Sequence, residues 1–389
     1  MKILGIETSC DETAAAVVED GTKILSSVVA SSSQRHAKTG GIIPEVAARQ
    51  QIKSIIPVIE QALVKAFEVE NGKLEAGFSH LPLLTSRIDA LAVTVGPGLI
   101  GSLLVGTETA KTLAYLWKKP IVGVNHLAAH IYANFISENP KSKYQNTEQG
   151  SRLRRKQTQN SKFKNQNSKL PEFPALALVV SGGHTDLVLM KGHGKLKWIG
   201  GTRDDAAGEA FDKCARLLGL PYPGGPAISA EAEKFFNSSR FTDHRSLTMF
   251  PRPMIGESNF DWSFSGLKTS VLRQLNGKTP SKSSVPMLAV EIQEAIVDVL
   301  VEKTLRALKK FKPRSLLLAG GVAANNRLAE KFQKKISKEL HEKVSFHVPP
   351  PHLCTDNATY IAAYAHFNFN PADLKKISAN PQLTITGEI

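Results

Sequence analysis

Two stretches of the chain repeat one pattern, in which a short apolar strand, a polar turn and a second apolar strand follow each other. The first stretch is Lys2–Glu19, with its turn at residues 7–13, and the second is Ala175–Met190, with its turn at Ser181–Thr185. Such a unit is typical of a hairpin whose turn presents backbone amides and hydroxyls to a ligand. Because one hairpin opens each half, the sequence predicts a duplicated, two-lobed α/β protein with a cleft. Coincidence is the alternative explanation for a single repeat of this kind.

Strands and helices alternate through the rest of the chain, which favours open sheets covered by helices. Apolar residues at helical spacing, and apolar runs between Gly-rich turns, predict helices at 44–69, 101–117, 206–218 and 287–310, and strands at 88–95, 121–124 and 315–319. The segment 236–286 is polar and is predicted to be irregular.

A pair of histidines follows the predicted strand 121–124 directly. His126 and His130 lie four residues apart, so on a helix they would share one face and could hold one metal ion. Their position at the carboxyl end of a strand is where open α/β sheets bind ligands. A pair of partly exposed histidines with no metal is the alternative interpretation.

Two ligands rarely complete a metal site, so a third must come from elsewhere. Asp356 follows a Pro-rich loop and precedes a helix, which makes it our candidate, although it would also suit a helix N-cap. A His-His-carboxylate set with open positions suits Fe(II) or Zn(II), and the residues alone do not choose between them. Leu127 occupies the position at which a zinc protease helix has its catalytic Glu, which disfavours peptidase chemistry.

The net charge of +14 is concentrated in one segment. Residues 141–169 hold nine basic residues and one acidic residue among many Gln, Asn and Ser. This composition predicts a flexible, solvated insertion, with a non-specific contact to RNA phosphates as the sharper alternative. We therefore predict an N-terminal lobe at 1–139, a basic insertion at 140–171 and a C-terminal lobe at 172–389.

Composition also predicts the cellular setting. Three cysteines without a CxxC spacing are typical of free thiols in a reducing cytoplasm. No run approaches the roughly 20 apolar residues of a membrane span. Glu7 comes too early for the apolar region of a signal peptide, so we expect a cytoplasmic protein with no membrane contact.

Several motifs occur in a fixed order along the chain. They are Gly5–Thr13, Gly41–Glu45, Gly96–Leu99, Asn125–His130, Ser181–Thr185, Gly208–Lys213, Tyr222–Pro226, Ala319–Val322 with Asn325, and Cys354–Asn357. Together they resemble the tRNA adenosine threonylcarbamoyltransferase family, TsaD, once described as a sialoglycoprotein endopeptidase. The resemblance extends from Met1 to about Phe367. Two departures are Gln51, where the family often has His, and the long basic insertion.

The resemblance implies a two-lobed actin/Hsp70/hexokinase-like (ASKHA) fold with a duplicated mixed-sheet core and a central cleft. It implies a transferase that moves the threonylcarbamoyl group from threonylcarbamoyl-AMP to a tRNA adenosine beside the anticodon, in tRNAs reading codons that start with A, and releases AMP. It implies that His126, His130 and Asp356 hold a divalent metal, iron in bacterial members, with zinc as the alternative.

The family motifs also imply the remaining site residues. The implied substrate-binding residues are Val179, Val180, Ser181, Gly182, Gly183, Asp212, Gly225 and Asn325. Amides around Gly182 and Gly183 would stabilise developing oxyanion charge. The group that deprotonates the adenosine amine is left open by the motifs, and Asp11 and Glu12 are our candidates.

The implied partners are tRNA, a dimerising paralogous subunit (TsaB-like) and a small ATPase subunit (TsaE-like). Three other functions are alternatives to this one. A sugar kinase or ATPase of the same fold would phosphorylate a small acceptor. A non-enzymatic scaffold resembling the family's degenerate paralogue would be expected to lack the paired histidines. A metallopeptidase is disfavoured by Leu127.

Overall fold

The computed structural model describes residues 1–32, 41–67, 81–137, 169–237, 248–340 and 343–389. The chain forms two compact units. Unit 1 comprises Met1–Ser161 together with Pro351–Ile389, and unit 2 comprises Lys162–Pro350. Each unit is built on one five-stranded sheet.

The sheet of unit 1 has the order β3-β2-β1-β4-β5, in which β1 pairs antiparallel with β2 and parallel with β4. Its strands are β1 (Lys2–Glu7), β2 (Glu12–Glu19), β3 (Lys23–Ser31), β4 (Ala90–Gly96) and β5 (Ile121–Asn125). Its helices are α1 (Pro44–Phe67), α2 (Leu81–Ser86), α3 (Ile100–Trp117), α4 (His126–Tyr132), α10 (Pro351–Cys354) and α11 (Thr359–Phe367), with a 3-10 turn at Ala133–Phe135. The strand β1 is buried from Ile3 onward, which places it at the centre of the core.

The sheet of unit 2 has the order β10-β9-β6-β7-β8, with β6 antiparallel to β7 and parallel to β9. Its strands are β6 (Ala175–Val180), β7 (Thr185–Met190), β8 (Leu196–Gly201), β9 (Ser315–Ala319) and β10 (Ser345–His347). Its helices are α5 (Ala207–Leu217), α6 (Gly224–Asn237), α7 (Ser265–Leu275), α8 (Val285–Phe311) and α9 (Asn326–Leu340), with a 3-10 turn at Gly321–Ala324.

The two sheets have the same topology. Reading from the hairpin edge, β3-β2-β1-β4-β5 corresponds to β8-β7-β6-β9-β10, with the same parallel and antiparallel pairings. The hairpins predicted from the sequence are β1–β2 and β6–β7. The predicted duplicated mixed-sheet core is therefore confirmed.

The predicted domain boundaries need one correction. The segment Pro351–Ile389, predicted to belong to a C-terminal lobe of residues 172–389, is part of unit 1. Its helix α11 packs on β1, β2 and α4. This close contact requires glycine at position 5, which has no side chain. A Cβ there would lie only 2.4 Å from the carbonyl oxygen of Ala358. A helix of small and aromatic residues could pack on either sheet, so the sequence of α11 does not predict that the chain returns to unit 1.

The prediction that residues 236–286 are irregular is wrong in part, because α7 lies within them. Most of the predicted basic insertion 140–171 falls outside the described residues, so its form stays a prediction. Within the described residues the three cysteines are free thiols. None of the described helices is long and apolar enough to cross a membrane.

Candidate active site

The helix α4 begins directly where β5 ends, and Asn125 caps it. The Asn125 side-chain oxygen accepts hydrogen bonds from the amides of Leu127 (3.0 Å) and Ala128 (3.2 Å), which satisfies two otherwise unpaired donors. The Asn125 side-chain amide donates to the carbonyl of Thr384 at 2.7 Å. One side chain thus fixes the start of the helix and ties it to the C-terminal segment.

The three predicted metal ligands come together in unit 1. The Nε2 atoms of His126 and His130 are 3.1 Å apart. Oδ1 of Asp356 lies 3.4 Å from Nε2 of His130 and 3.7 Å from Nε2 of His126. Among the described residues, these three form the group of His, Cys, Asp and Glu side chains able to hold a metal ion. The alternative role of Asp356 as a helix cap is wrong, because Ala358 is the N-cap of α11.

The spacing of these three atoms fits a divalent transition metal. Two ligand atoms that each lie about 2.1 Å from an ion are roughly 3.0 Å apart in octahedral geometry and roughly 3.4 Å apart in tetrahedral geometry. The observed separations of 3.1, 3.4 and 3.7 Å are close to that range. Two nitrogens and one carboxylate oxygen are also the donor types that Fe(II) and Zn(II) accept. The residues present therefore fit the metal that the sequence predicts.

Glu7, at the end of β1, orients the first histidine. Its Oε2 is 2.9 Å from Nδ1 of His126, and the side chain is almost fully buried. The carboxylate also accepts hydrogen bonds from the Ser9 amide and the Thr94 hydroxyl. A carboxylate on the far nitrogen of a ligating histidine fixes the tautomer and the ring orientation, and leaves Nε2 directed at the metal position.

The charges of this cluster shift the pKa values of its members in opposite directions. Burial alone would lower the pKa of His126, but the carboxylates of Glu7 and Asp356 raise it to about 9. Burial and the neighbouring His126 charge lower the pKa of His130. Burial would raise the pKa of Asp356, but the two histidines hold it well below its usual range. Without a metal, the cluster therefore stabilises positive charge at the point where the three ligand atoms meet.

Tyr360 closes the buried side of the cluster. Its hydroxyl lies 3.4 Å from Nε2 of His130, and the ring centroids are 4.5 Å apart. The side chain of His130 is 1% exposed, whereas that of Asp356 is 26% exposed. Solvent or a ligand therefore reaches the cluster from the Asp356 side.

The turn between β1 and β2 is held by Gln51 of α1. The side-chain nitrogen of this buried residue contacts the carbonyls of Thr8 (3.3 Å), Cys10 (3.0 Å) and Glu12 (3.0 Å). Gln51 stands where the resembling family often has His, and here it fastens the turn by neutral hydrogen bonds.

The two predicted proton acceptors lie in this turn. The Glu12 carboxylate accepts from Ser31 at 2.9 Å, and the backbone carbonyl of Asp11 accepts from Ser32. The polar neighbours of the histidine pair include Glu7, Ser9, Asp356 and Tyr360. A catalytic role for Asp11 or Glu12 stays a prediction.

The corresponding turn of unit 2 presents backbone. Val179 and Val180 have fully buried side chains, so only their main-chain atoms would be available to a substrate. A Cβ added at Gly182 or Gly183 would meet nothing within 4 Å. The start of α5 is fixed to this turn, because the Gly208 amide donates to the Ser181 carbonyl at 3.2 Å. The turn thus offers open amides beside a helix N-terminus, which suits an anionic ligand.

The other predicted substrate residues are linked through α6. Asp212 accepts a hydrogen bond from the Gly224 amide at 2.6 Å, and a further backbone hydrogen bond involves Gly225. Asn325 donates to Ser229 and to Gln293, both at 3.0 Å, and its oxygen caps α9. Both ends of the Asn325 amide are therefore engaged within the protein. Burial raises the pKa of Asp212. Contact of these residues with a substrate stays a prediction.

Glu7, Tyr360 and the contacts of Gln51 are not predicted from the sequence. Glu7 offered one signal, since a carboxylate at the end of an otherwise apolar strand is costly to bury without a partner. Tyr360 offered a weaker signal, since it follows the proposed ligand Asp356 by only four residues at the start of the next helix.

The chain is similar to proteins of one family over nearly its whole length. The family model described as TsaD, tRNA N6-adenosine threonylcarbamoyltransferase, matches residues 23–144 and 158–363. A protein of that name from Dehalococcoides mccartyi is 44% identical over 99% of this chain and 100% of its own length. The protein of the same name from Bacillus subtilis is 44% identical over 93% of this chain and 89% of its own length.

A solved structure supports the fold. HypF from T. kodakarensis aligns with 95% of this chain and 47% of its own, with a TM-score of 0.53 and 13% identity. At this identity the likeness concerns the fold alone. The duplicated mixed-sheet topology is that of the actin/Hsp70/hexokinase-like class, as predicted.

Proposed function

Because the chain belongs to the tRNA N6-adenosine threonylcarbamoyltransferase family, we propose that it takes its acyl group from threonylcarbamoyl-AMP and uses a divalent metal in unit 1. The chain is an enzyme, and its reaction is transfer of a threonylcarbamoyl group to N6 of a tRNA adenosine. The acceptor in this proposal is the adenosine beside the anticodon of tRNAs that read codons starting with A. Iron(II) is the proposed metal, with zinc(II) as the alternative.

The observation that supports the metal is the convergence of three ligand atoms within 3.1 to 3.7 Å, with Glu7 behind His126. A divalent ion held there would supply Lewis acidity towards carbonyl or phosphate oxygens. Glu7 keeps His126 in one orientation, and Asp356 contributes the negative charge that offsets the cation. The rigid cap at Asn125 fixes both histidines relative to β5.

The reaction itself balances without any further reactant. The adenosine N6 attacks the carbonyl carbon of the threonylcarbamoyl group, a C–N bond forms, and the bond from that carbon to the phosphate oxygen breaks. AMP departs with the bonding electrons, and the amine loses one proton. We propose that the open amides at Gly182 and Gly183 stabilise the developing oxyanion, with Asp212, Gly225 and Asn325 shaping the donor site. Asp11 and Glu12 are the proposed acceptors of the amine proton.

An exposed apolar surface supports a protein partner. Ile52 and Ile56 on α1, and Ile100 and Leu104 on α3, are 45–64% exposed, and the two helices pack together. Exposed apolar patches of this kind are typical of association sites. We propose that a paralogous TsaB-like subunit binds here and that a small TsaE-like ATPase assists turnover. The proposed location is the cytoplasm, where free thiols persist.

The test is a tRNA modification assay. The purified chain, its helper subunits, threonylcarbamoyl-AMP and an unmodified tRNA should give modified tRNA and one AMP per transfer. Production of a phosphorylated small acceptor from ATP, with no modified tRNA, would support the kinase alternative. Cleavage of a glycoprotein would support the peptidase alternative.

A further inference from the structure

The helix α7 and the loop that follows it form a basic surface on unit 2. No acidic residue occurs between Asp261 and Glu291, whereas that interval contains four basic residues, Lys268, Arg273, Lys278 and Lys282. All four side chains are exposed. None of them forms an ion pair with another residue of the described ranges, although ion pairs bind basic side chains elsewhere in the same unit. Their charge is therefore available to a partner.

The register of the sheet places this surface at the end that carries the glycine turn. Gly201, the last residue of β8, pairs with Asp186 at the start of β7, next to the turn Ser181–Thr185. The next residue, Thr202, forms an isolated β-bridge with Trp262, which lies just before α7. The opposite end of the same hairpin, where Met190 pairs with Leu196, lies about 20 Å away, because a six-residue strand has that length.

Side-chain contacts fix α7 to that end of the sheet. Asp204 accepts hydrogen bonds from the Phe264 amide (2.8 Å) and from the hydroxyls of Ser263 (2.6 Å) and Ser265 (2.7 Å). The helix also packs on α5, whose first turn is bonded to Ser181 and Thr185. The start of α7 is thus held at the same end of the sheet as the proposed donor turn, within one unit.

We infer that α7 and the loop to Lys282 bind the phosphate backbone of the tRNA substrate. This inference rests on the proposed function, which requires a polyanion to approach the donor turn. Unpaired exposed lysine and arginine side chains release counterions when they contact phosphates, and such contacts position a nucleic acid without reading its sequence. The interval carries one sign of charge only, which suits a polyanion such as the tRNA substrate.

Two triple variants of the full chain test this surface with equal changes of net charge. In the first, Lys268→Gln, Arg273→Gln and Lys278→Gln are combined. In the second, Lys191→Gln, Lys195→Gln and Lys197→Gln are combined, because those exposed lysines lie at the opposite end of the same sheet. Both variants retain the basic segment 141–169. Dissociation constants for unmodified tRNA are measured by fluorescence anisotropy over a range of salt concentrations.

The first variant should bind tRNA about tenfold or more weakly in low salt, and the slope of log Kd against log salt should fall by about two to three. Its KM for tRNA should rise while kcat at saturating tRNA changes little. The second variant should bind tRNA like the parent chain without substitutions. The inference would be overturned if both variants bound tRNA as tightly as the parent chain, or if both were weakened equally. If the parent chain bound tRNA but never modified it, the proposed function would fail while the surface assignment stood.

Discussion

The first hairpin turns of the two units share one topology but differ in their chemistry. The turn between β1 and β2 is closely packed and contains charge: Glu7 contacts His126, Gln51 holds three carbonyls, and a Cβ at Gly98 would lie 2.3 Å from the Ser9 carbonyl oxygen. The turn between β6 and β7 contains two glycines beside open space. Duplication has thus provided one scaffold for two tasks. One turn fixes side chains around the proposed metal site, and the other leaves exposed backbone at the proposed donor site.

The largest expected effect comes from removing a ligand of the cation site. In His126→Ala the site keeps two ligands, and the buried carboxylate of Glu7 loses its main partner. We expect metal content and turnover to fall together, by about 100-fold or more, since even the removal of an outer partner costs 10–100-fold. Elemental analysis and the modification assay measure this. His193→Ala, in the β7–β8 hairpin, is the matched control, and full activity of His126→Ala would remove the metal from the proposal.

The role of the charged turn is tested more finely by Glu7→Gln. This change keeps the volume and removes the charge behind His126. Metal affinity should weaken by about 10–100-fold while the ligands themselves remain. A competition titration with a chromophoric chelator measures the affinity, with Glu108→Gln on the surface of α3 as the control. Unchanged affinity would show that Glu7 only fills space.

Proton competition gives the same site a pH dependence. The carboxylates of Glu7 and Asp356 overcome burial and raise the pKa of His126 to about 9, so the metal-free site is protonated at neutral pH. Metal binding to Nε2 must release that proton, and affinity should therefore rise by about tenfold per pH unit up to about pH 9 and then level off. His130 adds little, because burial and His126 lower its pKa. In Glu7→Gln the pH above which metal affinity stops rising should be lower. A metal affinity that does not change with pH would contradict the charges assigned to this site.

The smallest effects compare one added methyl group at each turn: Gly98, in the loop after β4, packs against the β1–β2 turn, and Gly182 lies in the β6–β7 turn. Gly98→Ala would place a Cβ against the Ser9 carbonyl, so we expect a loss of about 1–3 kcal/mol in the free energy of unfolding. Gly182→Ala meets no neighbour, so the free energy of unfolding should change by less than about 0.5 kcal/mol. If a donor approaches the Gly182 amide, that second variant should show a raised KM with unchanged Tm. Equal melting temperatures for both variants would contradict the contrast between the turns.

The sequence predicted most of what depends on local pattern. The two hairpins follow from alternating apolar strands and polar turns, and the histidine pair follows from its spacing after β5. Asp356 was found because a third ligand was required and a carboxylate followed a Pro-rich loop. Contacts between distant segments were harder to predict. The partner of Glu7 lies 119 residues away, and Gln51 contacts carbonyls that any donor would satisfy. The edge strands β3 and β8 lack a clear apolar run.

The bond from Asn125 to the Thr384 carbonyl links the start of the histidine helix to a late part of the chain. The third ligand, Asp356, is also synthesised long after the two histidines. The proposed metal site therefore cannot be complete in a nascent chain until Asp356 has been made. A chain that ends between His130 and Asp356 would contain both imidazoles but lack the carboxylate of the proposed site. The bond that holds the start of their helix forms later still, once Thr384 has been made.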